Sequence, residues 1–244
     1  MSYLSRIDHA FSDAPVLPLS ENGRYVLFSD CHRGIGTSND NFLKNQHLYF
    51  AALNYYYQHS FCYIELGDGD ELWENRSFSA IQNIHSNVFW LLSLFYEEHR
   101  LFMLFGNHDI AKKDFHPFSD CCFHEGLRLK DCVTGQELYL THGHQADFFN
   151  STLWRLSCFL VRYLWKPLEQ FGVLDPTSAA KNYKVKNKTE QRLQEWTKLH
   201  KKILITGHTH RPVLGSKDSL YFNTGSCVHP RCITCIELVH RELS

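Results

Sequence analysis

Five short motifs carry side chains able to hold cations: Asp30-Cys31-His32, Gly67-Asp68, Gly106-Asn107-His108-Asp109, His142-Gly143-His144 and Gly207-His208-Thr209-His210. Their donors are carboxylate oxygens, an amide oxygen and imidazole nitrogens, a mixture without thiolate that suits Mn²⁺, Fe or Zn²⁺ better than Ca²⁺ or an iron–sulfur cluster. Asp30 and His32 lie two residues apart, as do His208 and His210, so on extended segments each pair points to one side. By the same alternation Cys31 faces away, into the core. Asp68 offers two carboxylate oxygens and a negative charge, enough to serve two cations at once. With Asp68 shared, the seven residues Asp30, His32, Asp68, Asn107, His142, His208 and His210 make two four-donor sites with room left for water and substrate. Taken singly, each motif has an ordinary explanation: a histidine after a strand is usually a hydrogen-bonded structural residue, and an aspartate after glycine is a turn or cap residue. Turns alone do not readily supply five such motifs, all at strand ends.

The elements that position these motifs are β-rich runs at 24–29, 61–66, 100–105, 137–141, 202–206, 220–223 and 232–238. Between them, segments 41–59 and 77–99 carry apolar residues at helical spacing. Strands alternating with helices early in the chain, then strands close together, predict a mixed sheet with helices against its faces. Most of the His and Asp clusters follow directly on these strands, where open α/β sheets place their ligand sites. Residues 150–202 differ from their surroundings. They hold 11 Lys+Arg against 4 Asp+Glu, a balance of 11 − 4 = +7 in a chain whose formal charge is −1. This segment reads as a helical insertion within a single domain spanning 1–244, either a solvated helical face or an anion-binding lid.

A net charge of −1 gives no general case for nucleic-acid binding, and 43% hydrophobic residues are enough for a substantial core. Met1–Asp8 lacks the apolar centre of a signal peptide, and no run of about 18 apolar residues occurs. The expectation is therefore a cytoplasmic protein with its nine cysteines as free thiols. Cys232 and Cys235 form a Cys-x-x-Cys without a clear second pair, a weak signal for zinc.

The motif order resembles that of the calcineurin-like metallophosphoesterase superfamily, whose pattern is D-x-H, GD, GN-H-D/E, H and GH-x-H. The resemblance runs from about Tyr25 to Ser226 apart from the insertion, and Phe222-Asn223-Thr224-Gly225-Ser226 resembles the strand and loop that follow the last histidine pair. It implies a β-sandwich of two mixed sheets flanked by helices, in place of the single sheet. It also implies two divalent ions, most readily Mn²⁺, one held by Asp30, His32, Asp68 and His210 and the other by Asp68, Asn107, His142 and His208. Within the superfamily the chain looks most like UDP-2,3-diacylglucosamine pyrophosphatases, which share a helical cap in this position and a GD-x-x-E-x-W pattern like Gly67 to Trp73. It departs from them at His108, where they carry Arg, and at His142-Gly143-His144, where they carry HGD.

Two cations about 3.5–4 Å apart can share a hydroxide and clamp phosphoryl oxygens during in-line attack. The expected reaction is hydrolysis of a phosphodiester or pyrophosphate bond in a nucleotide-linked or lipid-linked molecule. His108 is assigned as leaving-group acid or transition-state stabiliser, with Asp109 orienting its imidazole. Arg33, His144, Lys181, Lys184 and Lys186 are the candidates for substrate contact, His144 alternatively standing behind His142. The expected partner is a phosphorylated small molecule or lipid-linked substrate, with peripheral membrane contact and without nucleic acid. A Ser/Thr protein phosphatase, a small-molecule phosphomonoesterase and an inactive scaffold on the same fold are the competing readings.

Overall fold

The structure is a computed structural model and describes all residues except 38–39, 115–117, 119–122, 166–181, 240–241 and 244. Two mixed sheets pack face to face and are flanked by helices on both outer sides, an α/β sandwich. The first sheet runs in the order β11-β10-β2-β3-β4-β5. Its strands are β2 (Arg24–Phe28), β3 (Cys62–Leu66), β4 (Leu101–Leu104), β5 (Phe123–His124), β10 (Ile236–Val239) and β11 (Glu242–Leu243). The second, β1-β6-β7-β8-β9, comprises β1 (Val16–Leu19), β6 (Gly126–Asp131), β7 (Glu137–Thr141), β8 (Ile203–Thr206) and β9 (Tyr221–Asn223). The pairs β2–β3, β3–β4, β7–β8 and β8–β9 are parallel, whereas β6–β7 and β10–β2 are antiparallel.

Period-two patterning explains the layers. Tyr25, Leu27, Ile64, Leu66 and Leu104 of the first sheet meet Leu127, Leu129, Leu138, Leu140 and Ile205 of the second in one buried cluster. Each such aliphatic side chain contributes about 1.5–3 kcal/mol by leaving water. The alternate residues Val26, Phe28, Tyr63 and Met103 face outward onto α2 (Gln46–Gln58) and α4 (Ser86–Glu97). Helix α2 buries Tyr49, Leu53 and Tyr56, and α4 buries Val88, Leu91, Leu92 and Phe95, each at helical spacing. On the far side Tyr139, Leu204 and Tyr221 pack against Ile7 and Phe11 of the N-terminal segment, which contains α1 (Tyr3–His9), and against Leu193 and Trp196. The last two belong to a long helix, α7 (Tyr183–His200), whose Asn182 side chain caps its first turn.

The run at 77–99 divides into α3 (Phe78–Ile84) and α4 at His85, a fully buried residue whose Nε2 lies 3.2 Å from Asp40 Oδ2. The run at 232–238 becomes a strand only from Ile236. Cys232 Sγ is 3.3 Å from His229 Nδ1, while Cys235 Sγ turns to Tyr56 at 3.3 Å, and no cation-holding group forms there among the described residues. The seven described cysteines are free thiols. Among the described residues no helix is long and apolar enough to cross a membrane.

The insertion supplies α5 (Phe148–Ser151), α6 (Trp154–Leu160), one π-helical turn at Val161–Trp165, and α7. Arg162 donates to the carbonyls of Trp73 (2.6 Å) and Leu72 (2.9 Å), seating the first arm on the loop after β3. Glu190 of α7 accepts from Thr209 Oγ1 at 2.9 Å and pairs with Arg211, seating the second arm on the loop after β8.

Candidate metal centre

All five motifs lie at the C-terminal ends of strands, after β2, β3 and β4 in one sheet and after β7 and β8 in the other. Backbone hydrogen bonds extend the sheet pairing into the loops: Asp30 N to Gly67 O (3.1 Å), His32 N to Asp68 O (2.9 Å) and Arg33 N to Gly69 O (3.0 Å). The loops approach closely enough to require glycine. A Cβ on Gly67, at φ +88°, would stand 2.5 Å from Gly106 N, and one on Gly207 would stand 2.5 Å from Asp30 Oδ2.

The chain here is not extended. Asp30, His32, Asp68, His208 and His210 all have positive φ, between 47° and 69°. Left-handed residues at every second position, rather than the alternation expected of a strand, gather these side chains into two groups. Aspartate and histidine are among the residue types that tolerate this region best.

Asp30, His32 and His210 form one group with ligand atoms within 4.8 Å of one another, and Asp68, His142 and His208 form a second. His210 Nε2 lies 3.1 Å from Asp30 Oδ1, and His142 Nε2 lies 3.1 Å from Asp68 Oδ2. Asp68 Oδ2 is also 3.9 Å from His32 Nε2, so it faces both groups. Only that oxygen is open, because Oδ1 accepts the His108 backbone N–H at 2.8 Å. A shared role for Asp68 therefore falls on one oxygen rather than two. Asp30 is held in the same manner, with Oδ2 accepting from His208 N (2.9 Å) and Ser29 Oγ, and Oδ1 left without a hydrogen bond and turned to the histidines.

The donor atoms fit divalent cations. Asp30 Oδ1, Asn107 Oδ1, His142 Nε2 and His208 Nε2 are buried without a hydrogen-bond partner, a costly state unless something else satisfies them. Histidine tautomers agree with this reading. His142 Nδ1 meets the Leu66 carbonyl at 2.8 Å and His32 Nδ1 meets Glu71 Oε2 at 2.9 Å, which turns each Nε2 inward. Without a cation, burial disfavours a charged His142, but Asp68 and Asp30 outweigh burial and lift it to about 9. Burial, then the charge of His142, pushes His208 well below the ordinary imidazole value.

His108 lies at the edge of this centre. Its ring stacks on Trp73 (centroids 4.2 Å, 24°) and meets His32 edge-on at 4.7 Å. The carboxylate that orients it is Glu71, with Oε1 2.7 Å from Nδ1. Asp109, expected in that role, instead accepts backbone N–H groups from Gly106 (2.7 Å), Gly69 (3.0 Å), Asp68 (3.2 Å) and Asp70 (3.4 Å). It holds the loops together and does not meet the imidazole. Burial lowers the His108 pKa, but Glu71 and Asp68 outweigh it and raise the value above the ordinary one.

The expected substrate contacts fare unevenly. Arg33 turns into the interior, where its Nε reaches Asp70 at 2.7 Å and Nη2 reaches Glu65 at 2.9 Å. It is fully buried and does not face a substrate, because these carboxylates draw it inward. His144 is 2% exposed and stands behind His142 and His208, at ring centroids 5.5 and 6.4 Å, away from the open surface. Burial, then the His142 charge, depresses it to about 3. Lys184 is exposed on α7, and Lys186 is half-buried with Arg211 close enough to lower its pKa after burial. Lys181 lies outside the described residues. Glu71 and Glu190 are the residues that sequence reasoning left without a role; the acidic position in GD-x-x-E was the available signal for the first.

No family model matches this chain, and no curated protein matches it. Among solved structures, a conserved uncharacterized protein from Streptococcus pneumoniae, described as a predicted phosphoesterase, is similar over 88% of this chain and 83% of its own, at 17% identity and a TM-score of 0.39. A likeness of that degree carries no inference about the site.

Proposed function

We propose that this chain is a two-metal phosphoester hydrolase acting on a phosphodiester or pyrophosphate bond of a nucleotide-linked or lipid-linked substrate. The observation that carries the reading is the pair of adjoining groups Asp30–His32–His210 and Asp68–His142–His208, with buried unsatisfied donors in both and with Asp68 Oδ2 and Asp30 Oδ1 each facing histidines of both. Two divalent ions, Mn²⁺ or, on the same donors, Fe or Zn²⁺, would supply Lewis acidity there, acidifying water and neutralising phosphoryl charge. Asp30, His32, Asp68 and His210 would hold one ion, and Asp68, Asn107, His142 and His208 the other. The protein's own contribution to bond cleavage centres on His108. Glu71 holds Nδ1 and stabilises the imidazolium, so Nε2 is free to donate a proton to the leaving oxygen.

The insertion acts as a cap that selects the substrate. Its two arms are seated beside Trp73, which stacks on His108, and beside Thr209 and Arg211, which flank His210. Phe148, Phe149, Leu156, Phe159 and Leu164 are exposed on the first arm, suiting the apolar part of a lipid-linked molecule or a membrane surface. Lys186 on the other arm, with Arg211 on the loop beneath it, suits a second phosphate. Binding energy remote from the reacting phosphorus then accelerates the large substrate selectively. Replacing Lys184 and Lys186 by Glu should weaken turnover of a nucleotide-linked pyrophosphate and leave a small generic diester almost unchanged. Equal losses on both substrates, or none on either, would remove the cap as selector.

The reading itself is tested by loading the purified protein with Mn²⁺ and assaying a nitrophenyl phosphodiester, a nucleotide-linked pyrophosphate and a phosphoserine peptide, with and without chelator. Chelator-sensitive hydrolysis of the first two is expected. Preference for the peptide would favour a protein phosphatase, and no chelator-sensitive activity on any of the three would overturn the hydrolase reading.

A further inference from the structure

Beneath the candidate ligands lie five charged side chains with no solvent exposure, Arg33, Glu65, Asp70, Asp109 and Lys112, which the proposed chemistry does not use. Glu65, Asp70 and Asp109 each offer a carboxylate oxygen within 4.8 Å of the others, an arrangement able to hold a metal ion. A side chain occupies it instead. Lys112 Nζ stands 2.5 Å from Asp70 Oδ2, 2.7 Å from Asp109 Oδ2 and 3.6 Å from Glu65 Oε1. At these distances the ammonium meets Asp70 and Asp109 directly and lies within ion-pair reach of Glu65. The ring of Phe123 covers it at 5.2 Å from the centroid.

We infer that Lys112 is a built-in cation that fills a three-carboxylate site in place of a metal ion and thereby positions the loops bearing Asp68 and Asn107. Asp109 carries the effect outward. Its carboxylate accepts from the backbone of Asp68, Gly69 and Asp70 after β3 and of Gly106 after β4, the two loops that present those donors. Asp70 extends the network to a third loop, because its other oxygen holds Arg33, next to His32. Removing the ammonium leaves three buried carboxylates against Arg33 alone, and their mutual repulsion spreads the loops that the metal donors need close together. Lys112 touches no donor atom of the proposed centre, so it acts by positioning.

The inference rests on the two-metal reading for one of its two readouts only. Lys112→Ala removes three methylenes and the ammonium, leaving a cavity shaped for n-propylammonium. In metal-free protein, n-propylammonium should raise the melting temperature of Lys112→Ala saturably. It should leave the parent and Lys112→Met, whose side chain fills the space without charge, unmoved. Both variants should bind Mn²⁺ about 10–100-fold more weakly than the parent, the range seen when support behind metal ligands is lost. In Lys112→Ala, n-propylammonium should restore that affinity. If Lys112→Ala folds only with n-propylammonium present, the inference is supported. A folded Lys112→Ala that ignores n-propylammonium, or a Lys112→Met with parental Mn²⁺ affinity, overturns it. Failure of the parent to bind Mn²⁺ would instead count against the two-metal reading, and the melting response would still decide the role of Lys112.

Discussion

Asp68→Ala should abolish turnover and strip most of the bound metal while the fold survives. Asp68 Oδ2 faces both histidine groups, 3.1 Å from His142 and 3.9 Å from His32, so its loss weakens both proposed sites at once. The carboxylate's other oxygen ties only the His108 backbone, a local contact whose removal does not reach the sandwich core. Metal content by elemental analysis, circular dichroism and a diester assay on one preparation check the three parts together. A folded variant retaining two ions per chain and a near-parental rate would remove Asp68 from the bridging position and the present ligand sets with it.

His108→Ala should slow hydrolysis by about 10²–10⁴-fold where the leaving group is basic, the usual contribution of a general acid. Nitrophenyl esters need little protonation of their leaving oxygen and should lose far less. The contrast isolates proton donation from simple electrostatic support, which would slow both substrates alike. The geometry favours donation because Glu71 holds the ring by Nδ1 while the side chain keeps 21% of its surface open. Equal losses on both substrate types would assign His108 an electrostatic or structural role.

Much of this arrangement is legible in the residues alone. The seven proposed metal donors declare themselves by type, and their motifs mark strand ends because a polar residue following an apolar run has to leave the sheet. The core strands β2, β3, β4, β7 and β8 were likewise readable, with termini within a residue or two. Other features needed three dimensions. The alternation in Gly126–Asp131 signals β6 to anyone who counts Leu127 and Leu129 as inward, but Pro18 masks β1, where an edge position tolerates it. Arg33 beside His32 reads as a phosphate ligand until Glu65 and Asp70 are seen to enclose it. Neighbours in sequence suggested that Asp109 orients His108, yet the partner is Glu71, 37 positions away and invisible to local reasoning. Lys112 presents the same difficulty, since nothing in Ile110–Asp114 announces a fully buried ammonium.

The five left-handed residues at the centre restrict how the molecule can be made hardier. A side chain in that region costs roughly 1–2 kcal/mol per residue, less for aspartate and histidine, against a total stability of about 5–15 kcal/mol for a typical domain. Glycine at Asp30, His32, Asp68, His208 or His210 relaxes the backbone and deletes a donor in the same exchange. Selection for thermal endurance alone, in a laboratory library or in a lineage released from its task, therefore rewards erosion of the centre before it touches the sandwich. The durable end point of that path is an inert shell, and any engineering campaign on this scaffold has to screen for metal retention alongside melting temperature.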